Sequence, residues 1–176
     1  LCKELLARGR KTTQTHNEHL AGHIEKENRY SDQDKQWFAD NFHPYFTPYF
    51  KKLTDHTSEY YYGLNSFKKV WLSSLWINFM KKGEYNPPHT HHDNSGWSSV
   101  LFLKVPEFIN DAKDPHKFAD GQLGFTSVDG SNMTWMEPEV GHFYILEAKH
   151  QHCVMPFKTK IKGEVRRSMS FNFIQK

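Results

Sequence analysis

The chain has 176 residues and a mass of 20.8 kDa, the length of one domain with one real core. A net charge of +3, from 23 basic and 20 acidic residues, is too mild to argue for a nucleic-acid binder. No apolar run reaches the roughly 18 residues of a membrane span, and two cysteines, Cys2 and Cys153, exclude a disulfide scaffold or a multi-cysteine zinc site. No secretory signal is read at the start, so a cytoplasmic location is expected. Histidine stands out, with 12 residues, and 15% of the chain is aromatic against only 37% hydrophobic overall. Aromatic bulk must therefore supply much of the core, and the histidines raise the question of a metal.

Leu1, Leu5 and Leu6 mark a helix fragment, followed by a loop from Gly9 to Gln14. His16, His19 and His23 fall on one face if their stretch is helical. That face reads as solvated rather than metal-binding, because no acid or cysteine completes a site. Ser31 to Asp34 has the form of a capping box, and Trp37, Phe38 and Phe42 follow at helical period. The pattern predicts a helix over Asp32 to Asn41 and a second short one capped by Thr47 with Pro48 at its first position. Their aromatics are expected to pack on a sheet.

From Tyr60 the period changes to two. Candidate strands are Val70–Phe79, Ser98–Val105, Gln122–Thr126, Met133–Met136, His142–Leu146, His152–Pro156 and Arg166–Phe173, separated by Gly, Asn and Pro clusters. Short strands without strand–helix alternation predict an antiparallel sandwich or barrel. Residues 1–60 read as a helical support region and residues 61–176 as the β core, together one compact domain.

The segment from Gly83 to Asp93 carries the strongest chemical signal. In extended chain His89 and His91 face the same side, while Thr90 and His92 point away. Asp93 shares the parity of the two histidines but reaches the same ion only if the chain bends. Far along the chain, His152 opens an apolar strand. In the last strand Arg166, Ser168, Ser170 and Asn172 share one face, and Arg167, Met169, Phe171 and Phe173 share the other. A guanidinium beside small hydroxyls is an anion site, although a half-exposed edge strand shows the same alternation. Cys153 alternates away from His152 and reads as a small core residue. Tyr144 reads as a core tyrosine, and His92, His142 and His150 as rim or surface. Lys158, Lys160, Lys162 and Arg167 read as a solvated basic hairpin.

A His-x-His pair, a later His and an Arg-x-Ser on the last strand resemble the Fe(II)/2-oxoglutarate-dependent oxygenases. The pattern is closest to the prolyl-hydroxylase-like branch common in phages and marine bacteria. The residues that carry it are Trp76-Ile77-Asn78, Gly83, Asn86-Pro87-Pro88-His89-Thr90-His91, Leu101 to Pro106, Gly121 to Phe125, Gly141, His152 to Pro156, and Arg166 to Asn172. Asn17 to Ile24 also resembles an amino-terminal stretch of that branch, so the likeness covers nearly the whole chain.

The resemblance implies a mostly β double-stranded β-helix (a jelly-roll, cupin-like), with the amino-terminal helices packed on one sheet. It implies Fe(II) held by His89, His91 and His152, 2-oxoglutarate as cosubstrate, O2 as oxidant and ascorbate as a supportive reductant. Arg166 and Ser168 would anchor the far carboxylate, and Asn78 is a candidate donor to the cosubstrate or a ligand. Most of the superfamily has an acid where this chain has His91. The spacing from His91 to the Leu101 strand fits the acid's place, so His91 is favoured and Asp93 is the alternative ligand. The expected reaction is hydroxylation of a C–H bond in a peptidyl substrate, prolyl by analogy, or in a small molecule, in the host cytoplasm if the chain is phage-encoded. Two rival readings use the same residues. A three-histidine cupin-type dioxygenase that does not use 2-oxoglutarate would not require the Arg166–Ser168 anchor. A non-catalytic jelly-roll binding module would leave the histidines incidental.

Overall fold

The computed structural model describes residues 1–17, 22–42, 45, 70–91, 96–109, 119–127 and 129–175. Among these are helices α1 (Cys2–Lys11) and α2 (residues 32–42). The strands are β1 (Glu27–Arg29), β2 (Val70–Met80), β3 (Asn86–His89), β4 (Trp97–Lys104), β5 (Leu123–Thr126), β6 (Met133–Met136), β7 (Phe143–Glu147), β8 (His152–Val154) and β9 (Arg166–Gln175). They form a five-stranded sheet in the order β1-β2-β9-β4-β7 and a four-stranded sheet in the order β3-β8-β5-β6, with every pairing antiparallel. This is the mostly β architecture expected from the short alternating strands.

The two faces of β9 organise the molecule. Met169, Phe171 and Phe173 turn outward and join Phe38 and Phe42 of α2, Leu5 of α1, and Leu75 and Ile77 of β2 in the main hydrophobic cluster. Phe171 is fully buried, with its ring centroid 5.1 Å from Phe38 and 6.2 Å from Phe42. The helix aromatics thus pack on a sheet, as their spacing predicts. The α2 cap forms as the Ser31 box implies: the Asp34 amide donates to Ser31 Oγ at 3.1 Å, and Ser31 Oγ donates to the Asp34 carboxylate at 2.7 Å. Phe171→Ala should cost about 3–5 kcal/mol, the range for emptying a buried aromatic site, read as a lower denaturant midpoint at unchanged slope.

Four local features depart from the sequence reading. Helix α1 continues through Gly9 to Lys11. Gly9 is there for close approach, since a Cβ at this position would lie 2.5 Å from Ile77 Cδ1. Of the three histidines before β1, His16 and His23 lie in irregular chain, and His19 lies outside the described residues. Strand β1 carries no apolar residue and so gave no alternation signal. Strand β3 contains Pro87 and Pro88, which read as a turn. It sits at a sheet edge, where a missing N–H donor is tolerated. The expected helix at Thr47 and Pro48, and the boundary near residue 60, lie outside the described residues.

Candidate active site

The two sheets enclose a cavity of about 510 Å³. Its floor and one wall are the inner face of β9, where Arg166, Ser168, Ser170 and Asn172 all line it. Registration places Met80, Asn78, Trp76 and Ser74 of β2 opposite these four residues in order. Alternation along one strand therefore delivers a graded series, from a buried cation to a half-buried amide.

Arg166 is 2% exposed. Its Nη1 donates to the Gly121 carbonyl at 2.6 Å, and its Nη2 lies 2.6 Å from Met80 Sδ. Gly121 adopts a φ of +72°, and a Cβ there would strike the Phe108 ring, so this turn carbonyl requires glycine. The guanidinium lies 5.2 and 5.6 Å from the ring centroids of Phe157 and Phe102. Its Nε has no partner, and no carboxylate among the described residues pairs with it. Burial holds its pKa below the ordinary arginine value. A desolvated cation facing a cavity is incomplete without an anion. Beside it, Asn78 Nδ2 donates to Ser168 Oγ at 3.2 Å and to Ser170 Oγ at 2.9 Å. Because Ser168 accepts from Asn78, its own hydroxyl proton is left to donate onward. Asn78 thus orients the two serines.

His89, His91 and His152 come together on the opposite side of the cavity. One ring nitrogen from each lies within 4.8 Å of the others. His89 and His152 are cross-strand partners on β3 and β8, with ring centroids 4.3 Å apart. His91 lies two residues beyond, where its backbone N–H donates to the Ala148 carbonyl at 3.0 Å. His89 Nδ1 is 2.7 Å from the Pro87 carbonyl and His152 Nδ1 is 3.0 Å from the His150 carbonyl. A carbonyl only accepts, so each Nδ1 carries the proton and each Nε2 presents a lone pair. Burial, and then the neighbouring His89 and His91, push the His152 pKa down to about 3. The ring is therefore neutral at physiological pH, as ligation requires. Three imidazoles converging on one point fit a first-row divalent metal.

The alternative ligand Asp93, together with His92, lies outside the described residues. His142 is exposed and faces Glu139, while His150 is half-buried against the Thr126 carbonyl. Cys153 packs in the core near Met133, and the Tyr144 hydroxyl donates to the Glu137 carbonyl at 3.2 Å. Lys160, one of the basic hairpin residues, is paired with Glu107.

Two residues near this cavity escaped the sequence reading. His16 is buried, lines the cavity, and packs at a tilt against Trp76 with centroids 4.6 Å apart; Arg29 Nε donates to its Nδ1 at 2.8 Å. Glu27 is 1% exposed and pairs in register with Asn78, with its Oε1 unpartnered. Burial, and then the charge of Glu84, push its pKa up to about 8. Between the ordinary value of 4.5 and that of about 8, the unfolded chain gives up the Glu27 proton and the folded one keeps it. Stability should therefore fall as pH rises through this window. Glu27→Gln should flatten the fall and gain at least about 1.4 kcal/mol at pH 8, the worth of one pKa unit, seen in melting temperatures measured across pH.

Among the described residues no helix is long and apolar enough to cross a membrane. No curated protein matches the chain. Solved structures do. A viral collagen prolyl hydroxylase from Paramecium Bursaria Chlorella virus-1, solved as a 2OG complex, aligns with 15% identity over 99% of this chain and 90% of its own, at a TM-score of 0.56. A Pseudomonas putida prolyl-4-hydroxylase aligns with 19% identity over 99% of this chain and 82% of its own, at 0.51. An oxidoreductase of the 2OG-Fe(II) oxygenase family from Burkholderia pseudomallei aligns with 17% identity over 60% of this chain, at 0.46, and the match spans only 43% of that protein's length. At these identities the alignments with the two prolyl hydroxylases speak for the fold alone. The sequence itself matches, over residues 74–172, the family model described as "Putative 2OG-Fe(II) oxygenase". That span runs from the start of the cavity-lining part of β2 to Asn172 on β9 and takes in the three histidines and Arg166, more than half of the chain: the protein belongs to the 2OG-Fe(II) oxygenase family.

Proposed function

We propose that the protein is an Fe(II)- and 2-oxoglutarate-dependent oxygenase that hydroxylates a C–H bond. The observation that carries this reading is the pairing, across one cavity, of three convergent histidines with a buried arginine that pairs with no carboxylate among the described residues. His89, His91 and His152 would hold the iron through Nε2. Arg166 would bind the far carboxylate of 2-oxoglutarate, and the Ser168 hydroxyl, polarised by Asn78, would donate to the same group. Bound iron and cosubstrate would supply the oxidative decarboxylation that yields succinate and CO2 and the oxidising power for hydroxylation. The chain's own part is placement: β9 fixes the distance between the two anchoring points, and Phe102 and Phe157 keep water from the guanidinium.

The prolyl hydroxylases among the similar structures support a peptidyl prolyl substrate, with a small molecule as the alternative. The three-histidine donor set without a carboxylate also suits a cupin-type dioxygenase, but such an enzyme has no use for Arg166. Succinate release from 2-oxoglutarate with Fe(II) and ascorbate, with peptidyl proline as the first substrate offered, tests the reading. Iron-dependent binding of 2-oxoglutarate is expected, and its absence from the wild type would overturn the proposal.

A further inference from the structure

We propose that Glu27 is a positioning residue for the cosubstrate anchor: its carboxylic acid donates a hydrogen bond to Asn78 Oδ1 and so holds the amide turned toward Ser168 and Ser170. The proposal rests on the reading of Arg166 and Ser168 as the 2-oxoglutarate anchor, and it extends that anchor to a buried acid on the neighbouring strand.

Asn78 stands in register between Glu27 on β1 and Ser168 on β9. Directly opposed residues of antiparallel neighbours project from the same face of a sheet. Glu27 therefore shares the face from which Asn78 and Ser168 line the cavity. The Asn78 amide nitrogen donates to Ser168 Oγ and Ser170 Oγ, both on β9. With its nitrogen committed to that side, the amide turns its oxygen away from β9, toward the strand that carries Glu27. Asn78 Oδ1 is buried and has no partner, and the same is true of Glu27 Oε1. Leaving two dry acceptors on adjacent strands is costly, and one proton on Glu27 turns the pair into a donor and an acceptor.

The groups around Glu27 among the described residues disfavour its ionised form. No cation pairs with it. On β1 itself, Lys26 faces the other way, over the Phe79 ring, and Arg29 spends its Nε on His16 Nδ1. His16 meets Glu27 through its backbone, its N–H donating to the Glu27 carbonyl. Lys81, just past β2, pairs with Glu25. Glu84, from the turn before β3, is buried with its carboxylate accepting from the Glu25 and Lys81 amides, and its charge opposes a second one on Glu27. Burial and that charge keep Glu27 protonated at neutral pH. The opposite arrangement, with the amide turned over and its nitrogen set against an ionised Glu27, buries a charge that no cation answers. An ionised Glu27 also repels Asn78 Oδ1, so Ser168 loses the donor that leaves its own proton free for the far carboxylate.

A wild-type minus Glu27→Gln infrared difference spectrum of the ligand-free protein at pH 7 should show the C=O stretch of a protonated carboxylic acid. Its absence means an ionised Glu27 and overturns the proposal. Calorimetric titration of the Fe(II)-loaded protein with 2-oxoglutarate, without oxygen, gives the second measure. Wild-type affinity should fall on the order of fourfold from pH 7 to about 8.5 as Glu27 ionises. Glu27→Gln keeps a donor and carries no charge, so it should bind as the wild type does at pH 7 and lose that part of the pH dependence. Glu27→Met has no donor and should bind roughly 3–10-fold more weakly at pH 7. A Met variant that matches the wild type, or a Gln variant with unchanged pH dependence, overturns the positioning role. A wild type that shows the infrared band but binds no 2-oxoglutarate overturns the anchor reading instead, and the role of Glu27 in it.

Discussion

Arg166→Met is expected to weaken 2-oxoglutarate binding at least about 100-fold while leaving the ligand-free protein as stable as the wild type or more so. The two effects have one cause. Arg166 is buried among Phe102, Phe157 and Met80, and no carboxylate among the described residues answers its charge. Removing one partner of a buried charge pair costs about 3–5 kcal/mol, and each 1.4 kcal/mol is tenfold in affinity. The ligand-bound state loses that amount. The ligand-free state holds the cation without its anion, so an apolar side chain of similar length relieves a desolvation penalty. Against this stands the lost hydrogen bond to the Gly121 carbonyl, worth about 1–3 kcal/mol if the carbonyl is left dry. The net change in the ligand-free protein should therefore lie near zero or on the stable side. Calorimetric titration with 2-oxoglutarate and a denaturant melt measure the two halves. Binding retained within threefold would remove Arg166 from the anchor. A large loss of stability would mean that the residue is chiefly structural.

His152→Leu should abolish tight metal binding and, separately, change how the ligand-free protein responds to acid. His152 is buried, and one of its ring nitrogens lies within 4.8 Å of one from each of His89 and His91. With two ligands left, metal content after dialysis should fall to background, whereas exposed His142→Ala should leave it unchanged. The acid response follows from the pKa of about 3 in the folded chain against the ordinary 6.5. Above 6.5 neither state protonates this ring. Between 6.5 and about 3 the unfolded chain takes up a proton that the folded chain refuses, so stability is lost as pH falls. Each unit of difference corresponds to about 1.4 kcal/mol. The Leu variant, which cannot titrate there, should show a shallower loss of stability in melts recorded between pH 6.5 and 4. An unchanged slope would mean that His152 is not the group responsible.

The inner wall of the cavity was legible because β9 is a strand with strict alternation. Once Arg166 faces the cavity, Ser168, Ser170 and Asn172 must follow, and Phe171 must meet the helices. The three histidines were legible as a motif in a fixed order, but their convergence depends on β3 pairing with β8 across 63 residues of sequence, from His89 to His152. What escaped has a common physical character. Gly9 is a packing glycine inside a helix, and local sequence cannot distinguish it from a helix stop. Glu27 and His16 are polar residues whose burial is imposed by a short edge strand with no apolar pattern. Pro87 and Pro88 signal a turn wherever the chain is viewed alone. Only the position of β3 at a sheet edge makes them compatible with a strand.

That alternation along β9 has an implication for how the protein tolerates insertions and deletions. A one-residue slip would send Arg167, Met169 and Phe171 into the cavity and press Arg166, Ser168 and Ser170 against Phe38 and Phe42. Chemistry and packing share a single reading frame in this strand. Length variants should therefore be all-or-none, with the anion site and the helix-facing core lost in the same event rather than one surviving as a folded, inactive remnant.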